Sequence, residues 1–226
     1  MELQPILGIK KGVTAVIGSG GKSTLLHTLA QELPGRILLC TSTHFMPYDD
    51  LPTLTEPTEE TLRQAFTAGR VVCAGRETAK GKLTDCGLPY EILADLADYV
   101  LVEADGSRRM PLKFHREDEP CIPAETGLLL QVAGLSALGR PAAETLHRHA
   151  LSGIAAEHCI AEEDVARLML RAFSHCGVSC PGAALLNQAD TPELCARGET
   201  VARLLRAEGY PCAVGALRKE VIGCWS

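Results

Sequence analysis

The stretch that decides the fold is Val13-Thr-Ala-Val-Ile-Gly-Ser-Gly-Gly-Lys-Ser-Thr24, which the helical pattern of residues 25–30 follows. The apolar residues 13–17 predict a buried β-strand, and the glycines after them predict a tight turn into a helix. Glycines allow successive backbone N–H groups to face one point, and a helix N-terminus adds partial positive charge. The sequence therefore predicts a phosphate-binding loop made of Gly18, Ser19, Gly20, Gly21, Lys22, Ser23 and Thr24.

Two side chains of this loop have the types that contact a nucleotide. A lysine at position 22 would reach the β- and γ-phosphates, and the hydroxyl of Ser23 would ligate Mg²⁺. The full GxxxxGK[ST] pattern has a glycine six residues before the lysine, where this chain has Val16. What remains is the shorter GxxGK[ST] form, which resembles the loop of Mur-type ligases.

Composition limits the class of protein. The 226 residues suffice for one α/β domain over 1–226, and 46% of them are hydrophobic. The net charge is −6 without a basic block, so we expect no nucleic-acid partner. The chain opens with no secretory signal and has no apolar run long enough to span a bilayer, so we expect no membrane association and a cytoplasmic location.

The ten cysteines form no Cys-x-x-Cys pair, and without an export signal we expect no disulfides. Their densest segment is His175-Cys176-Gly-Val-Ser-Cys180. This segment is either a metal or soft-ligand site or a helix end that contains two small thiols. We expect the helix end, because tetrahedral zinc needs two further ligands that the sequence does not supply nearby.

Apolar runs of strand length alternate with helical patterns along the chain. Short, continuously apolar strands joined by helices predict an α/β fold with a mainly parallel, doubly wound sheet. The predicted strands are 13–17, 36–41, 71–74, 99–104, 127–132, 183–187 and 212–216. The predicted helices are 22–33, 59–68, 88–97, 142–156, 162–175 and 192–208. The segments 75–83 and 111–125 have no clean period, and we expect loops or short hairpins there.

In such sheets, ligands bind at the carboxyl ends of the strands, so the residues at those ends matter most. The second strand ends at Cys40-Thr-Ser-Thr-His44, where Thr41 could complete a Mg²⁺ shell or contact the γ-phosphate. Hydroxyls at a strand end also commonly satisfy loop backbone groups. Both interpretations of Thr41 stay open at this point.

The strand over 99–104 ends with two acids, Glu103 and Asp105. Acids two residues apart on a strand face the same side, and carboxylates that share one spot are costly without a cation. An acid at the tip of a hydrophobic strand holds Mg²⁺ in many phosphate-transfer proteins. The alternative is a solvated turn at the strand end, with Asp105-Gly106 as its corner.

A third strand end carries Asn187-Gln-Ala-Asp190, which fits the guanine-reading Asn-Lys-x-Asp pattern except that Gln188 replaces the lysine. A carboxylate at position 190 would accept two N–H bonds from guanine, which adenine does not offer. The tail over 213–217 resembles the last GTPase segment, whose backbone contacts the base. We therefore predict that Asn187 and Asp190 belong to the nucleotide site.

Three segments resemble the YqeC family: Glu103-Ala-Asp-Gly-Ser-Arg-Arg-Met-Pro-Leu-Lys113, Glu119-Pro-Cys-Ile-Pro123 and Val132-Ala-Gly-Leu-Ser-Ala-Leu-Gly139. The first is the most specific, and the resemblance runs from Gly18 to Leu217. This family is described as accessory proteins for selenium-dependent molybdenum hydroxylases, also called selenium cofactor biosynthesis proteins. The resemblance implies a P-loop NTPase-like three-layer αβα sandwich.

By position, the resemblance implies that residues 18–24 hold the phosphates of GTP or ATP and that Glu103 and Asp105 serve Mg²⁺. Lys113 and Arg108 are implied to stabilise transferring phosphate charge or to hold an anion such as a molybdopterin phosphate. The loop beside the phosphates would be lined by Ser107, Arg108, Lys113 and His115. The pair His147-Arg148 is similar to a His-Arg pair of the family.

These observations lead to one main hypothesis and two alternatives. The main hypothesis is a Mg²⁺-dependent nucleoside triphosphatase, with GTP slightly favoured over ATP. It would act in the maturation of a selenium-dependent molybdenum hydroxylase, whose enzyme or selenium/molybdopterin cofactor would be a partner. Lys22, Glu103, Asp105 and Lys113 would be its catalytic residues, and Ser23, Glu103 and Thr41 would hold the metal. The alternatives are a nucleotide-gated binding module and a kinase- or ligase-like transferase with a small acceptor.

Overall fold

The computed structural model of the protein describes residues 2–177 and 179–219. Within these ranges the strands are β1 (Gly12–Gly18), β2 (Ile37–Thr41), β3 (Thr53–Leu54), β4 (Val71–Ala74), β5 (Arg76–Glu77), β6 (Leu83–Thr84), β7 (Tyr99–Glu103), β8 (Leu112–Lys113), β9 (Thr126–Gly134), β10 (Leu146–His147), β11 (Gly182–Asn187) and β12 (Cys212–Val214). The α-helices are α1 (Leu3–Leu7), α2 (Lys22–Glu32), α3 (Glu59–Ala68), α4 (Tyr90–Leu96), α5 (Ala142–Thr145), α6 (His149–Ser152), α7 (Glu162–His175) and α8 (Pro192–Ala207).

The centre of the fold is an eight-stranded parallel sheet in the order β12-β11-β9-β1-β7-β2-β4-β3. The strand that leads into the predicted phosphate loop, β1, lies between β7 and β9. Alternate residues of the sheet pack toward opposite faces: Val16 lies in a cluster with Leu29 of α2, whereas Val13 lies in a cluster with Leu93 of α4. The α/β class and the large parallel sheet are confirmed, and helices on both faces are consistent with a three-layer sandwich.

The predicted strands of the main sheet all exist, with ends shifted by two residues or fewer. The helices predicted over 59–68 and 162–175 have the predicted bounds. At the start of the first of these, the Thr58 hydroxyl accepts a hydrogen bond from the backbone N–H of Thr61, as an N-cap does. For the segment 75–83, where loops or short hairpins were predicted, the structure has the antiparallel pair β5–β6, which extends one residue further to Thr84.

The helix predicted over 142–156 is wrong. The chain forms α5, then the two-residue strand β10, then α6. β10 pairs in parallel with β8, so Leu146 lies beside Leu112 and His147 beside Lys113. Arg148 follows in a left-handed conformation with φ 67°. This pairing with a distant segment overrides the local helical pattern.

The sheet brings together the carboxyl ends of β1, β2, β7 and β11, which are the four strand ends singled out by the sequence. No helix in the described part of the chain is long and apolar enough to cross a membrane. The nine cysteines of this part are free thiols, and Cys224 lies outside the described residues.

Candidate functional site

The loop between β1 and α2, residues 18–24 (the glycine loop), depends on glycine at three positions. Gly18, Gly20 and Gly21 have φ values of 93°, 87° and 137°, which residues other than glycine rarely adopt. A β-carbon on Gly20 would lie 2.6 Å from Cα of Gly134 and 2.8 Å from the carbonyl oxygen of Pro111. Backbone therefore approaches this loop too closely for any other residue.

The backbone of the glycine loop presents unpaired donors. The N–H of Gly18 donates to Oδ2 of Asp105 at 2.9 Å, and the N–H of Ser19 donates to the carbonyl of Val132 at 2.9 Å. The N–H groups of residues 20–24 donate to no acceptor in ranges 2–177 and 179–219. These groups lie at the N-terminus of α2, so the loop has the geometry and polarity of an anion-binding site.

Lys22 lies at the centre of this site with its side chain only 3% exposed. Its ammonium donates to the carbonyl of Gly18 at 2.8 Å and lies 3.0 Å from Oδ1 of Asp105. It also lies 3.8 Å from Oε1 of Glu103 and 3.4 Å from Oγ of Ser107. The two predicted acids thus converge on the predicted lysine.

The second arm of the site joins Ser23 to Glu103. The Ser23 hydroxyl donates to Oε2 of Glu103 at 3.1 Å. Burial raises the pKa of Glu103 above its ordinary value, although the nearby Lys22 ammonium acts in the opposite direction. Burial disfavours the charged form of a carboxyl group, and an additional cation beside it would favour that form.

Thr41 lies at the same strand edge, but its hydroxyl is used by the backbone. It donates to the carbonyl of Glu103 at 2.7 Å and accepts the N–H of Thr43 at 2.9 Å. In this arrangement Thr41 braces the end of β7 against β2. A metal-ligand role for Thr41 stays a prediction that would require these two bonds to open.

Asp105 connects the glycine loop to the following loop. It is fully buried, and besides Lys22 its partners are Lys113, whose ammonium lies 3.2 Å from Oδ2, and His115, whose Nε2 lies 2.6 Å from the same oxygen. Burial acts to raise the pKa of Asp105, but the Lys22 ammonium and the His115 hydrogen bond hold it below its ordinary value. Asp105 is therefore an anion shared by the two loops.

The segments over 103–119 and 132–139 thus contact the glycine loop. These segments contain the residues on which the family resemblance was based. The sequence model of the family described as YqeC protein matches residues 14–150, more than half of the chain. This chain belongs to the YqeC family. A protein of Escherichia coli (strain K12) named "Uncharacterized protein YqeC" is 37% identical over 156 residues, which are 63% of this chain and 60% of that protein. The match thus spans less than two thirds of that relative, and no solved structure matched the chain.

The range matched by the YqeC family model is shorter than the resemblance predicted from sequence, which ran to Leu217. It contains Lys22, Glu103, Asp105 and Lys113. The predicted base-reading residues over 187–190 lie beyond it. The family model therefore covers the predicted phosphate-binding residues and does not reach the predicted base-reading residues.

Asn187 nevertheless contacts the glycine loop directly. Its Nδ2 donates to the carbonyl of Gly20 at 2.8 Å, and its Oδ1 accepts the backbone N–H of Leu217 at 3.0 Å. Asp190 is exposed just past the end of β11. Gln188, which replaces the lysine of the guanine-reading pattern, instead accepts a hydrogen bond from the Ser136 hydroxyl at 2.5 Å.

Glu119 and Arg148, to which the sequence analysis gave no role or little weight, complete the site. Glu119 accepts from Lys113 at 2.8 Å and is held by both terminal nitrogens of the Arg148 guanidinium. Despite partial burial, the hydrogen bonds from Arg148 and Lys113 lower the pKa of Glu119 to about 2. Only the family resemblance of these segments pointed to them, because the contact joins positions 29 residues apart.

The cysteine-rich segment is a helix end, as expected. α7 ends at His175, Cys176 follows as its C-cap, and burial raises the pKa of Cys176 to about 12. Among the described residues, no group of three or more His, Cys, Asp or Glu side chains is placed to hold a metal ion. A metal at the strand ends would need hydroxyl, phosphate or water oxygens besides the carboxylates.

Proposed function

We propose that this protein is a Mg²⁺-dependent nucleoside triphosphatase that binds the triphosphate on the glycine loop, with GTP slightly favoured over ATP. One observation carries the proposal: the N–H groups of residues 20–24 have no acceptor among the described residues, and the buried Lys22 ammonium of the same loop bonds the Gly18 carbonyl at its start. Donors without an acceptor and a buried cation at a helix N-terminus favour a polyanionic ligand.

Ser23 and Glu103 fit Mg²⁺. Both offer oxygen donors, which this cation prefers, and they lie 3.1 Å apart at the N-terminus of α2. The burial of Glu103 raises its pKa, and a divalent cation beside this carboxyl would favour its charged form. When bound, Mg²⁺ supplies electrostatic stabilisation of the phosphate oxygens.

The protein groups then have separate tasks. Lys22 is held by Asp105 and the Gly18 carbonyl, within reach of the donors of the glycine loop. We propose that its ammonium turns from Asp105 to the γ-phosphate when the nucleotide binds. Asp105 keeps the ion pair with the Lys113 ammonium and the hydrogen bond with His115 during this change.

Phosphate release with Mg²⁺ from the wild type and from Lys22→Ala and Ser23→Ala tests this function. Both variants should lose activity, because one removes the phosphate-contacting cation and the other a metal ligand. Lys11→Ala is the matched control, because Lys11 is 71% exposed and pairs only with Asp98 among the described residues. Equal rates in the wild type and both site variants would sink the assignment.

The base preference rests on Asn187 and Asp190. Asn187 connects the glycine loop to the segment at Leu217, which supports a base site beside the phosphates. We expect GTP to bind more tightly than ATP, and Asp190→Ala to reduce the affinity for GTP alone. A titration in which ATP is preferred and the variant behaves like the wild type would make residues 187–190 an ordinary turn.

The cellular role rests on the resemblance and not on the geometry. We propose that the nucleotide cycle serves the maturation of a selenium-dependent molybdenum hydroxylase. Deleting the gene in its own organism should lower the activity of such an enzyme without lowering its amount. Complementation with Lys22→Ala should fail. If that variant restored the hydroxylase activity, the cellular role would not depend on nucleotide binding.

A nucleotide-gated binding module is a second candidate, because Asp105 links two loops. Lys22 contacts it from the glycine loop, and Lys113 and His115 contact it from the following loop. A nucleotide that draws Lys22 away would therefore change the restraints on residues 106–119. Co-purification with a hydroxylase only in the presence of a non-hydrolysable analogue would favour this candidate.

A further inference from the structure

A four-residue turn over residues 107–110 lies against the glycine loop and has two arginines at its centre. The N–H of Met110 donates to the carbonyl of Ser107 at 3.1 Å, which closes the turn. Arg108 and Arg109 both have positive φ, 50° and 62°. Positive φ at both central positions is the mark of a type I′ turn, which normally has Gly, Asn or Asp there.

Arginine is a poor choice for this backbone. Its β-carbon crowds the following carbonyl oxygen in the left-handed region, so each arginine is strained where a glycine would not be. Strained residues of this kind persist where the surrounding structure holds them, and they concentrate at functional sites. We therefore expect the side chains of Arg108 and Arg109 to have a function that glycine could not perform.

Both ends of the turn are fixed to the glycine loop. At its start, the Lys22 ammonium lies 3.4 Å from Oγ of Ser107. At its end, the Ser19 hydroxyl donates to the carbonyl of Met110. The next carbonyl, that of Pro111, accepts the N–H of Gly134 at 2.8 Å. The two arginines thus lie on a short arc whose ends contact Ser19 and Lys22, the first and fourth residues after β1.

The charge on this arc is uncompensated by the described residues. Both arginines are exposed, and their guanidinium groups form no ion pair or hydrogen bond within ranges 2–177 and 179–219. The other cations of the site differ in this respect, since Lys113 and Arg148 are both paired with Glu119. Within the 103–119 segment, Arg116 pairs with Asp118, so Arg108 and Arg109 are the arginines available to bind an anionic ligand.

We propose that the turn over 107–110 supplies a guanidinium in cis to the γ-phosphoryl group of the nucleotide bound on the glycine loop. This inference rests on the proposed function and assigns it a catalytic group. Water attacks the γ-phosphorus, the bond from the β–γ bridging oxygen to that phosphorus breaks, and its electron pair stays on the nucleoside diphosphate. The proton of the water leaves to solvent with inorganic phosphate. The guanidinium stabilises the charge that spreads over the γ-oxygens during this step.

The test compares Arg108→Lys and Arg109→Lys with the wild type in phosphate release and in nucleotide titration. Lysine keeps the charge but loses the planar, two-pronged donor set. At least one variant should lower kcat about 100-fold or more while the Kd for the nucleotide changes less than threefold. Arg63→Lys on α3 is the matched control, an exposed arginine with a 61% exposed side chain. Two variants with wild-type kcat, or a loss confined to Kd, overturn the inference.

Glycine variants give a second, independent readout. Arg108→Gly and Arg109→Gly should raise the thermal unfolding midpoint, because the strain is removed, while kcat falls as in the lysine variants. A lower midpoint in both glycine variants would show that the side chains serve the fold, which overturns the inference.

Lys22→Ala keeps the two proposals distinguishable. If the wild type is no faster than Lys22→Ala, the proposed function fails and this inference with it, whereas a faster wild type with unaffected arginine variants removes the inference alone.

Discussion

At the scale of single residues, Asp105 is the carboxylate on which the site depends. It lies at the end of β7, and its oxygens meet cations from two loops while also accepting the N–H of Gly18. A buried anion with this many partners is tolerated because each oxygen is compensated. The same arrangement makes its removal costly, since the cations would stay buried without it.

Asp105→Asn should lower the free energy of unfolding by about 3–5 kcal/mol, the usual cost of breaking a buried charge pair. Urea denaturation measures this change. Asp118→Asn is the control, because Asp118 has a 68% exposed side chain and pairs with Arg116 at the surface. Its effect should stay below about 0.5 kcal/mol. A similar small effect at position 105 would mean that the cations find other partners.

Glu119 predicts a pH dependence. Its pKa in the folded protein is about 2, lowered from 4.5 by Arg148 and Lys113, so the ionised form is favoured by folding. This contribution is fully present above pH 4.5 and is lost as the pH falls from there towards 2. The stability difference between the wild type and Glu119→Gln should therefore be constant near neutral pH and shrink below pH 4.5. A difference that grows in acid would contradict the assignment.

At the scale of elements, the strands of the main sheet were predictable because they are buried on both faces. β2 and β7 consist of residues that are all buried, so their apolar runs are continuous in sequence. The segment after 142 was not predictable in this way. β10 is defined by its pairing with β8, and no local pattern announces a contact with a distant two-residue strand.

The residues of the candidate site also differ in whether local sequence predicts them. Lys22, Ser23, Glu103 and Asp105 follow directly from motifs at strand ends, and the structure brings them together. The Glu119–Arg148 pair depends on the loops that carry it, as does the strained turn at Arg108 and Arg109. Such features arise from tertiary packing, which composition and periodicity do not encode.

Gly20→Ala tests the close approach at the glycine loop. Its new β-carbon would meet the backbone of Gly134 and Pro111, which cannot turn away as a side chain can. Gly81→Ala is a matched control, because Gly81 also has positive φ, 69°, but open space around it. The control should cost about 1–2 kcal/mol from backbone strain alone. Gly20→Ala should cost more in urea denaturation, and equal costs would mean that the loop yields.

At the scale of the whole molecule, one amide joins the two halves of the candidate nucleotide site. Asn187 extends from the end of β11 to the carbonyl of Gly20 and to the N–H of Leu217. Three segments that are far apart in sequence therefore share one buried side chain. The YqeC family match ends at residue 150, before this connection.

Asn187→Ala should leave two buried backbone groups without their partner, at a cost of about 1–3 kcal/mol each in the free energy of unfolding. It should weaken the binding of GTP and ATP equally, since it braces the glycine loop and leaves Asp190 in place. Gln64→Ala removes an exposed amide on α3 and should change neither property. If Asn187→Ala weakened the binding of GTP and not that of ATP, Asn187 would instead contact the guanine base.

The bond between Asn187 and Gly20 spans 167 residues, which has a consequence for synthesis. A ribosome adding about 5–20 residues per second needs on the order of 10–30 seconds to pass from one to the other. During this interval the nascent chain carries the glycine loop without its brace, and β1 waits for β7 and β9 as well. The binding of the proposed nucleotide would then come late, after most of the protein has emerged, so this ligand would stabilise the folded chain and would not initiate folding.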